Sequence, residues 1–302
     1  MRGGLGFGVP QEMVDLYFMK DGRRIVDDTN YKEYEGVPSN EYLGWSSDYT
    51  DEVVPSRTYF KSNLNQTLKQ WANREPRFYT NITFHGSTWL KTDTPRGEIT
   101  TELTYNGNSG YANANWDAPY TGYGMRKMAS KEGRSGANRH CATLLRLADM
   151  YLGYAETLSA CDQRNEAIKY VNKIRARAGI PGYGAVGTTD DNGFACIPYV
   201  DKRIHRERLV ELMFEWNHFF DVRRWKVADM AVGDDWIYPK YHRGGEGGPI
   251  HGMAFRSDAP AFFEKVVVET RTFLPKHYLF PIPDEDVRRN PKMVQNLGWT
   301  TE

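Results

Sequence analysis

The sequence predicts a mainly α fold in which tetratricopeptide-like helical hairpins carry long ordered loops and a few short strands. Two observations favour helices: apolar residues recur at three- and four-residue steps over 143–178, and again over 204–225. A third favours ordered loops. Aromatic residues make up 14% of the chain, beside 28 glycines and 15 prolines, whereas a disordered chain would be poor in aromatics.

Residues 1–142 are predicted to form a loop-rich segment with short strands. Gln11–Met19 has a helical apolar pattern, which the Lys20–Gly22 turn ends. Alternating apolar residues in 73–84 predict a turn that leads into a strand, and Glu98–Tyr105 is a second candidate strand. We expect this segment and the helical residues 143–302 to form one structural unit.

The pattern in 143–178 predicts two helices joined by a short polar link. The first helix is expected to bury one face, which comprises Leu144, Leu147, Tyr151, Ala155 and Leu158. The second is expected to bury Ala167, Ile168, Val171 and Ile174, and to end at Gly179 as a left-handed cap. Ala155 and Ala167 supply small residues where such paired helices cross. One such unit cannot bury its faces alone, so we expect a longer protein.

The stretch 204–225 is predicted to be a single amphipathic helix with Asp201 as its N-cap. Glu207, Glu211 and Glu215 repeat every four residues and share one face beside several arginines. Paired carboxylates can act in glycoside hydrolysis, but they approach the substrate from opposite sides. A structural ion network is therefore the favoured interpretation.

The remaining C-terminal residues are predicted to lack regular structure. Residues 232–263 are expected to form a long irregular insertion that carries Trp236, Tyr238, Tyr241 and His242. The proline-punctuated tail, 278–299, is expected to stay extended and to dock on the body through Trp299. Trp216, Trp225 and Trp299 are predicted to be core residues.

Composition excludes several functional classes. The net charge is zero, so nothing favours nucleic acid, and no apolar run could span a bilayer. The three cysteines and seven histidines lack the spacing of a disulfide framework or a metal site. Asp190–Asn192 could contact calcium but lacks an EF-hand pattern, which favours a solvated turn. We expect no catalytic residue, no metal and no cofactor.

Aromatic and amide side chains cluster on the loops between 85 and 123. A sugar ring packs its C–H face on an aromatic ring, while its hydroxyls need amide or carboxylate partners. The candidate ligand-binding residues are Trp89, Tyr105, Tyr111, Asn115, Trp116 and Asp117. Each of these aromatics could instead anchor a loop to the helices. A second candidate platform is the 236–251 stretch.

Six segments, in this order, resemble one protein family over most of the chain. They are EPRFYTNITFHGSTW at 75–89, TGYGMRKM at 121–128, LLRLADMYLGYAETL at 144–158, EAIKYVNKIRARAGI at 166–180, RIHRERLVELMFEWNHFFDVRRW at 203–225 and LFPIPDEDVRRNPKMVQNLGW at 279–299. The family is RagB/SusD, the surface glycan-binding lipoproteins of Bacteroidetes. Its signal peptide, lipid-bearing cysteine and N-terminal helical repeats have no counterpart here, so the resemblance implies the C-terminal portion of a longer protein.

The resemblance implies a non-enzymatic protein that binds oligosaccharide or polysaccharide at the surface of the outer membrane. It also implies a partner, a TonB-dependent, SusC-like transporter that receives the glycan. Attachment to the membrane would need a lipid anchor that this chain lacks. Two alternatives remain open: a tetratricopeptide-type scaffold that binds protein and no sugar, and a glycoside hydrolase.

Overall fold

The computed structural model describes residues 8–25, 45–46, 67–89, 99–127, 143–186, 200–229 and 245–299. Its helices are α1 (Gln11–Leu16), α2 (Pro76–Asn81), α3 (Tyr111–Ala114), α4 (Leu147–Ala160), α5 (Arg164–Ala178), α6 (Val200–Glu211), α7 (Asn217–Arg224) and α8 (Asp284–Arg289). Its strands are β1 (Trp45–Ser46), β2 (Thr67–Leu68), β3 (Ile82–Thr83), β4 (Thr88–Trp89), β5 (Ile99–Thr100), β6 (Gly124–Met125), β7 (Pro249–Met253) and β8 (Lys265–Thr270). They pair antiparallel as β1–β2, β3–β6, β4–β5 and β7–β8. The mainly α fold class with short strands is confirmed.

The first predicted strand is mostly helical. Pro76 occupies the first turn of α2, where its fixed φ favours a helix, and only Ile82–Thr83 continues as strand. Phe78 and Tyr79 are both buried although they are neighbours, so the apparent alternation did not mark one buried face. The second candidate strand shrinks to Ile99–Thr100, although Thr101 still exchanges backbone hydrogen bonds with Gly86 and Ser87 before the chain turns near Thr104.

One apolar cluster surrounds Trp71 and includes residues from both parts of the chain. The indole of Trp71 donates to Tyr123 Oη at 3.0 Å, and Tyr123 Oη donates to Gln11 Oε1 at 2.7 Å. Leu209 and Met213 pack into the same cluster from the C-terminal part. Because all these polar groups find partners, burial of the aromatic rings stabilises the fold without leaving unpaired donors.

The α4–α5 hairpin forms a second apolar cluster. Ala155 and Ala167 are fully buried in it, and Gly179 has a φ of +79° as the predicted left-handed cap of α5. The predicted face of α4 is partly wrong. Leu144 precedes the helix and Leu147 is exposed, because the buried stripe starts one residue later, at Ala148. A second stripe of Leu147, Met150 and Tyr154 faces solvent.

Enlarging Ala155 should therefore destabilise the hairpin. Ala155→Leu adds three carbons where α4 meets α5, and we expect it to lower the free energy of unfolding by about 1–3 kcal/mol. Ala160→Leu is the matched control, since Ala160 is exposed on the same helix. Chemical denaturation measures both. Equal stability of the Ala155→Leu variant and the parent would contradict a tight helix crossing.

The predicted long helix is two helices. The chain leaves α6 after Glu211 and re-enters α7 at Asn217, with φ of +67° at Phe214 and +69° at Trp216. Lys127 Nζ donates to the carbonyls of Glu211 at 2.8 Å and Met213 at 3.0 Å, so the break leaves these carbonyls paired. Lys127 is distant in sequence from both residues, so helical periodicity alone does not reveal the break.

The break changes which residues are buried. Trp216 is 72% exposed, so the prediction that it lies in the core is wrong. Trp225 is half-buried, with its indole donating to Glu156 Oε1 at 2.8 Å. Asp201 is not the predicted N-cap, because α6 already starts at Val200; it is the second residue of the helix and accepts a hydrogen bond from Ser159.

The insertion and the tail are more regular than predicted. Part of 232–263 belongs to the β7–β8 hairpin, while Trp236, Tyr238, Tyr241 and His242 lie outside the described residues, as do Asp190–Asn192. The tail forms α8, and its C-terminal end contacts Lys276 and Leu279 near its start. The half-buried indole of Trp299 donates to the carbonyl of Lys276 at 2.9 Å, so Trp299 ties the tail together rather than lying in the core.

Candidate functional site

The glutamate stripe is a buried ion network. Glu207 lies 2.7 Å from Arg77 and 3.1 Å from Arg175, and Glu211 lies 3.0 Å from Arg77. Glu211 also pairs with Arg146 at 2.6 Å, and Glu215 with Arg146 at 2.7 Å. The two inner carboxylates are almost inaccessible to solvent. A substrate could not reach them, which favours an architectural role.

The arginines determine the direction in which the pKa of Glu211 is shifted. Burial alone would raise the pKa of Glu211, but the charge of Arg77 and the hydrogen bond from Arg146 outweigh it, and the pKa is lowered. Glu75 behaves oppositely, since burial raises its pKa despite the adjacent Arg77. The network thus joins α2, α5 and α6. Its carboxylates differ in the direction of their pKa shifts, which is downward for Glu211 and upward for Glu75.

The predicted sugar-binding loop is folded by its own amides. Asn106 donates its backbone N–H to Asp258 Oδ1 at 2.9 Å, and Asn113 Nδ2 donates to the carbonyl of Asn106 at 2.8 Å. Asn108 Nδ2 donates to the carbonyl of Thr100 at 2.7 Å. A Cβ at Gly110 would lie 1.7 Å from the Thr104 carbonyl oxygen, so only glycine allows this close approach. These amides hold the loop in one conformation.

The tyrosines of this loop pack on one another and on the β7–β8 connection. Tyr105 and Tyr111 stack with ring centroids 6.4 Å apart, and Tyr111 meets the edge of Phe255 at 5.7 Å. The exposed guanidinium of Arg256 lies 5.5 Å from the centroid of Tyr111. Tyr105 and Tyr111 are half-buried, so each can anchor the loop while presenting part of its ring.

Asn115, Trp116 and Asp117 form one exposed turn directly after α3. Trp116 is 72% exposed, which is unusual for so large an apolar side chain. Asn115 has φ of +47° and ψ of −119°, a conformation that normally requires glycine. Strained backbone of this kind clusters at functional sites, where the fold maintains it. Asn115 thus connects α3, which carries Tyr111, to the exposed Trp116.

Trp89 stands apart from this turn. It lies in β4, where Ile99 is its partner in β5, and Arg126 places its guanidinium 5.4 Å from the indole centroid. One face of the ring is thus in contact with protein, and the side chain is half-buried. Tyr105 and Tyr111 thus contact each other, and the 115–117 turn directly follows α3, whereas the described contacts of Trp89 are with Ile99 and Arg126.

Sequence reasoning missed the residues that the β7–β8 connection contributes. Phe255, Arg256 and Asp258 lie about 140–150 residues beyond the loop that they contact. The short run Ala-Phe-Arg-Ser-Asp holds the same residue types as the predicted site and could have marked it. This run lies within 232–263, which the sequence predicts to be an irregular insertion.

Other kinds of site are not found in the described ranges. No group of three or more His, Cys, Asp or Glu residues there could hold a metal ion. Within the same ranges, no helix is both long and apolar enough to cross a bilayer.

Comparison with known proteins identifies the family. The SusD family model matches residues 1–299. The chain belongs to the SusD family. SusD-like protein P2 of Formosa agariphila is 27% identical over 175 residues, which cover 58% of this chain and 28% of that protein.

Solved structures of the SusD family share the fold. A SusD-like protein from Bacteroides fragilis NCTC 9343 is 25% identical with a TM-score of 0.68, covering 99% of this chain and 50% of that one. A SusD-like carbohydrate binding protein from the same strain is 19% identical with a TM-score of 0.53, covering 93% and 47%. The chain therefore spans half or less of the length of these relatives.

Proposed function

We propose that this SusD-family chain binds oligosaccharide without cleaving it, at the surface formed by the 115–117 turn and the Tyr105–Tyr111 pair. The observation that carries the proposal is the exposed indole of Trp116, held by a strained turn. Burying such a ring against a sugar removes apolar surface from water and costs little side-chain entropy. The rigid loop beneath it reduces the ordering cost further.

Polar groups around this indole suit sugar hydroxyls. Asn115 and Asp117 flank the ring on the same turn, and both are exposed. Arg256 places its guanidinium over the ring of Tyr111, 5.5 Å from the centroid. Amide, carboxylate and guanidinium groups together can accept from and donate to hydroxyls on the edge of one ring.

The wider role rests on the family. Within this proposal the glycan is captured outside the cell, at the outer membrane, and passed to a TonB-dependent, SusC-like transporter. One solved SusD-like neighbour is described as a carbohydrate binding protein, which agrees with a sugar ligand here. The outer-membrane location and the transporter partner are part of the proposal.

The non-enzymatic part of the proposal rests on the carboxylates. Hydrolysis needs two carboxyl groups facing one glycosidic bond across a gap of about 5–10 Å. Glu207 and Glu211, the pair whose spacing raised the possibility of hydrolysis, are buried among arginines. Neither is placed to donate a proton to a bound sugar.

A glycan array followed by an assay of reducing ends tests the proposed function. We expect retention of at least one glycan class on the array and no release of reducing sugar from it. If none is retained, the protein-scaffold alternative replaces this proposal. Release of reducing ends that purified Glu211→Gln protein lacks would establish a hydrolase.

Relieving the strain at Asn115 should increase stability. Asn115→Gly places glycine where the backbone already has positive φ, and we expect the free energy of unfolding to rise by about 0.5–1 kcal/mol. Asn113→Gly is the control. It removes two loop hydrogen bonds and puts glycine inside α3, so it should destabilise. Thermal unfolding that shows Asn115→Gly to be the less stable of the two variants would contradict a strained turn.

A further inference from the structure

A second group of exposed aromatic rings lies in the C-terminal part of the chain, at α7 and in the tail. Trp216 is 72% exposed, Phe220 is 65% and Phe280 is 72%. Phe219 joins them, stacking on Phe280 with centroids 6.1 Å apart and meeting the edge of Phe220 at 5.2 Å. We name these three contacting rings, together with Trp216 at the start of α7, the aromatic patch. Exposed rings in such number are characteristic of interaction surfaces.

An arginine that has no acidic partner among the described residues lies against the aromatic patch. The guanidinium of Arg223 is 3.5 Å from the ring centroid of Phe219 and 5.2 Å from that of Phe273. Its Nη1 donates to the carbonyl of Phe219 at 2.9 Å, while its Nε is buried and has no acceptor. No described carboxylate pairs with it, so its charge is uncompensated at an apolar surface.

The neighbouring arginines show the contrast. Arg224 pairs with Glu156 and with Asp221 at 2.9 Å, and Arg271 pairs with Glu246 at 3.2 Å. Because these cations are already matched, Arg223 differs from its described arginine neighbours in having no acidic partner. Arg223 can still donate from its remaining N–H groups in the forked geometry that carboxylates accept.

The backbone of the aromatic patch is strained as well. Trp216 has φ of +69° and precedes α7 without a side-chain cap. A non-glycine residue with positive φ is costly, so the surrounding fold must maintain this conformation at Trp216.

We propose that the aromatic patch docks a segment of another polypeptide, one that presents an apolar or aromatic side chain next to a carboxylate. The apolar group covers Trp216 and Phe220, and the carboxylate pairs with Arg223. A membrane surface fits less well, because binding to anionic lipid uses several unpaired cations and the patch has one among the described residues. This inference does not depend on sugar binding.

Selection from a phage-displayed library of random dodecapeptides tests the proposal. The whole chain is immobilised, and binders are depleted on a Trp216→Ala/Arg223→Gln variant. We expect the enriched peptides to carry Asp or Glu within two residues of an aromatic or leucine. Enrichment of peptides without an acidic residue, or no enrichment, would overturn the proposal.

Affinities of a resynthesised peptide locate the contact. We expect Arg223→Gln, and the Asp→Asn or Glu→Gln change in the peptide, each to weaken binding at least about tenfold. Combined, the two changes should weaken it little further, and Arg223→Lys should restore part of the loss. Trp216→Ala should also weaken binding, and thermal unfolding checks that each variant is folded.

The exposed Trp116→Ala variant is the matched control. Trp116 and Trp216 are equally exposed at 72%, and only the latter belongs to the aromatic patch. We expect Trp116→Ala to leave peptide affinity unchanged. Equal peptide affinity of the parent and Arg223→Gln, or a Trp216-dependent pelleting with phosphatidylglycerol vesicles in place of peptide binding, would overturn the proposal.

Discussion

Glu211→Gln should lower the free energy of unfolding by about 3–5 kcal/mol, the usual cost of breaking a buried ion pair. Glu211 contacts Arg77 at 3.0 Å and Arg146 at 2.6 Å, and also pairs with Arg177. The amide of glutamine would place N–H donors against guanidinium donors and leave three positive charges without this carboxylate. Urea denaturation of the parent and the variant measures the loss.

Glu166→Gln is the control for this prediction. Glu166 pairs with Lys169 on the exposed side of α5, so its removal should cost less than about 1 kcal/mol. The pH dependence gives an independent check. The pKa of Glu211 is lowered in the fold, so its contribution is complete above the unfolded pKa and is lost as pH falls through the folded value. A variant as stable as the control, with an unchanged acid limb, would contradict the architectural role.

Trp116→Ala should weaken glycan binding by about thirtyfold, equivalent to roughly 2 kcal/mol for an aromatic anchor. The indole is 72% exposed, so its truncation removes contact area for the sugar without opening a cavity in the core. Calorimetry with the glycan that the array identifies measures the change. The unfolding temperature should stay within a few degrees of the parent's.

Trp89→Ala separates the two predicted anchors. Trp89 is half-buried beside Arg126, so its truncation should reduce stability and should affect the glycan less than Trp116→Ala. The double variant should bind no more weakly than the two losses combined. An unchanged affinity in folded double-variant protein would assign the site elsewhere on the chain.

Sequence patterns predicted the elements whose structure depends on residues close together in the chain. The α4–α5 hairpin follows from periodicity, and the end of α5 follows from Gly179, whose φ of +79° suits glycine. The break between α6 and α7 could not be predicted this way. It depends on Lys127 and Arg146, whose side chains reach the Glu211 carbonyl from more than 60 residues away.

The same distinction applies to the candidate site, where some residues could be predicted from local sequence and others could not. Tyr105, Tyr111 and Trp116 were identified because aromatic and amide residues concentrate on one stretch of chain. Phe255 and Asp258 were not, because they reach this stretch only through the β7–β8 hairpin. The strain at Asn115 is likewise a property of the folded loop, since asparagine at that position predicts an ordinary turn.

Indole N–H resonances offer the most direct test of sugar binding at Trp116. The chain has eight tryptophans, so its nitrogen-15 spectrum contains eight indole signals, which single substitutions can assign. Addition of the glycan is predicted to shift the Trp116 signal and to leave that of the buried Trp71 unmoved. Saturation with glycan that shifts Trp216 or Trp236 while Trp116 stays in place would contradict the account.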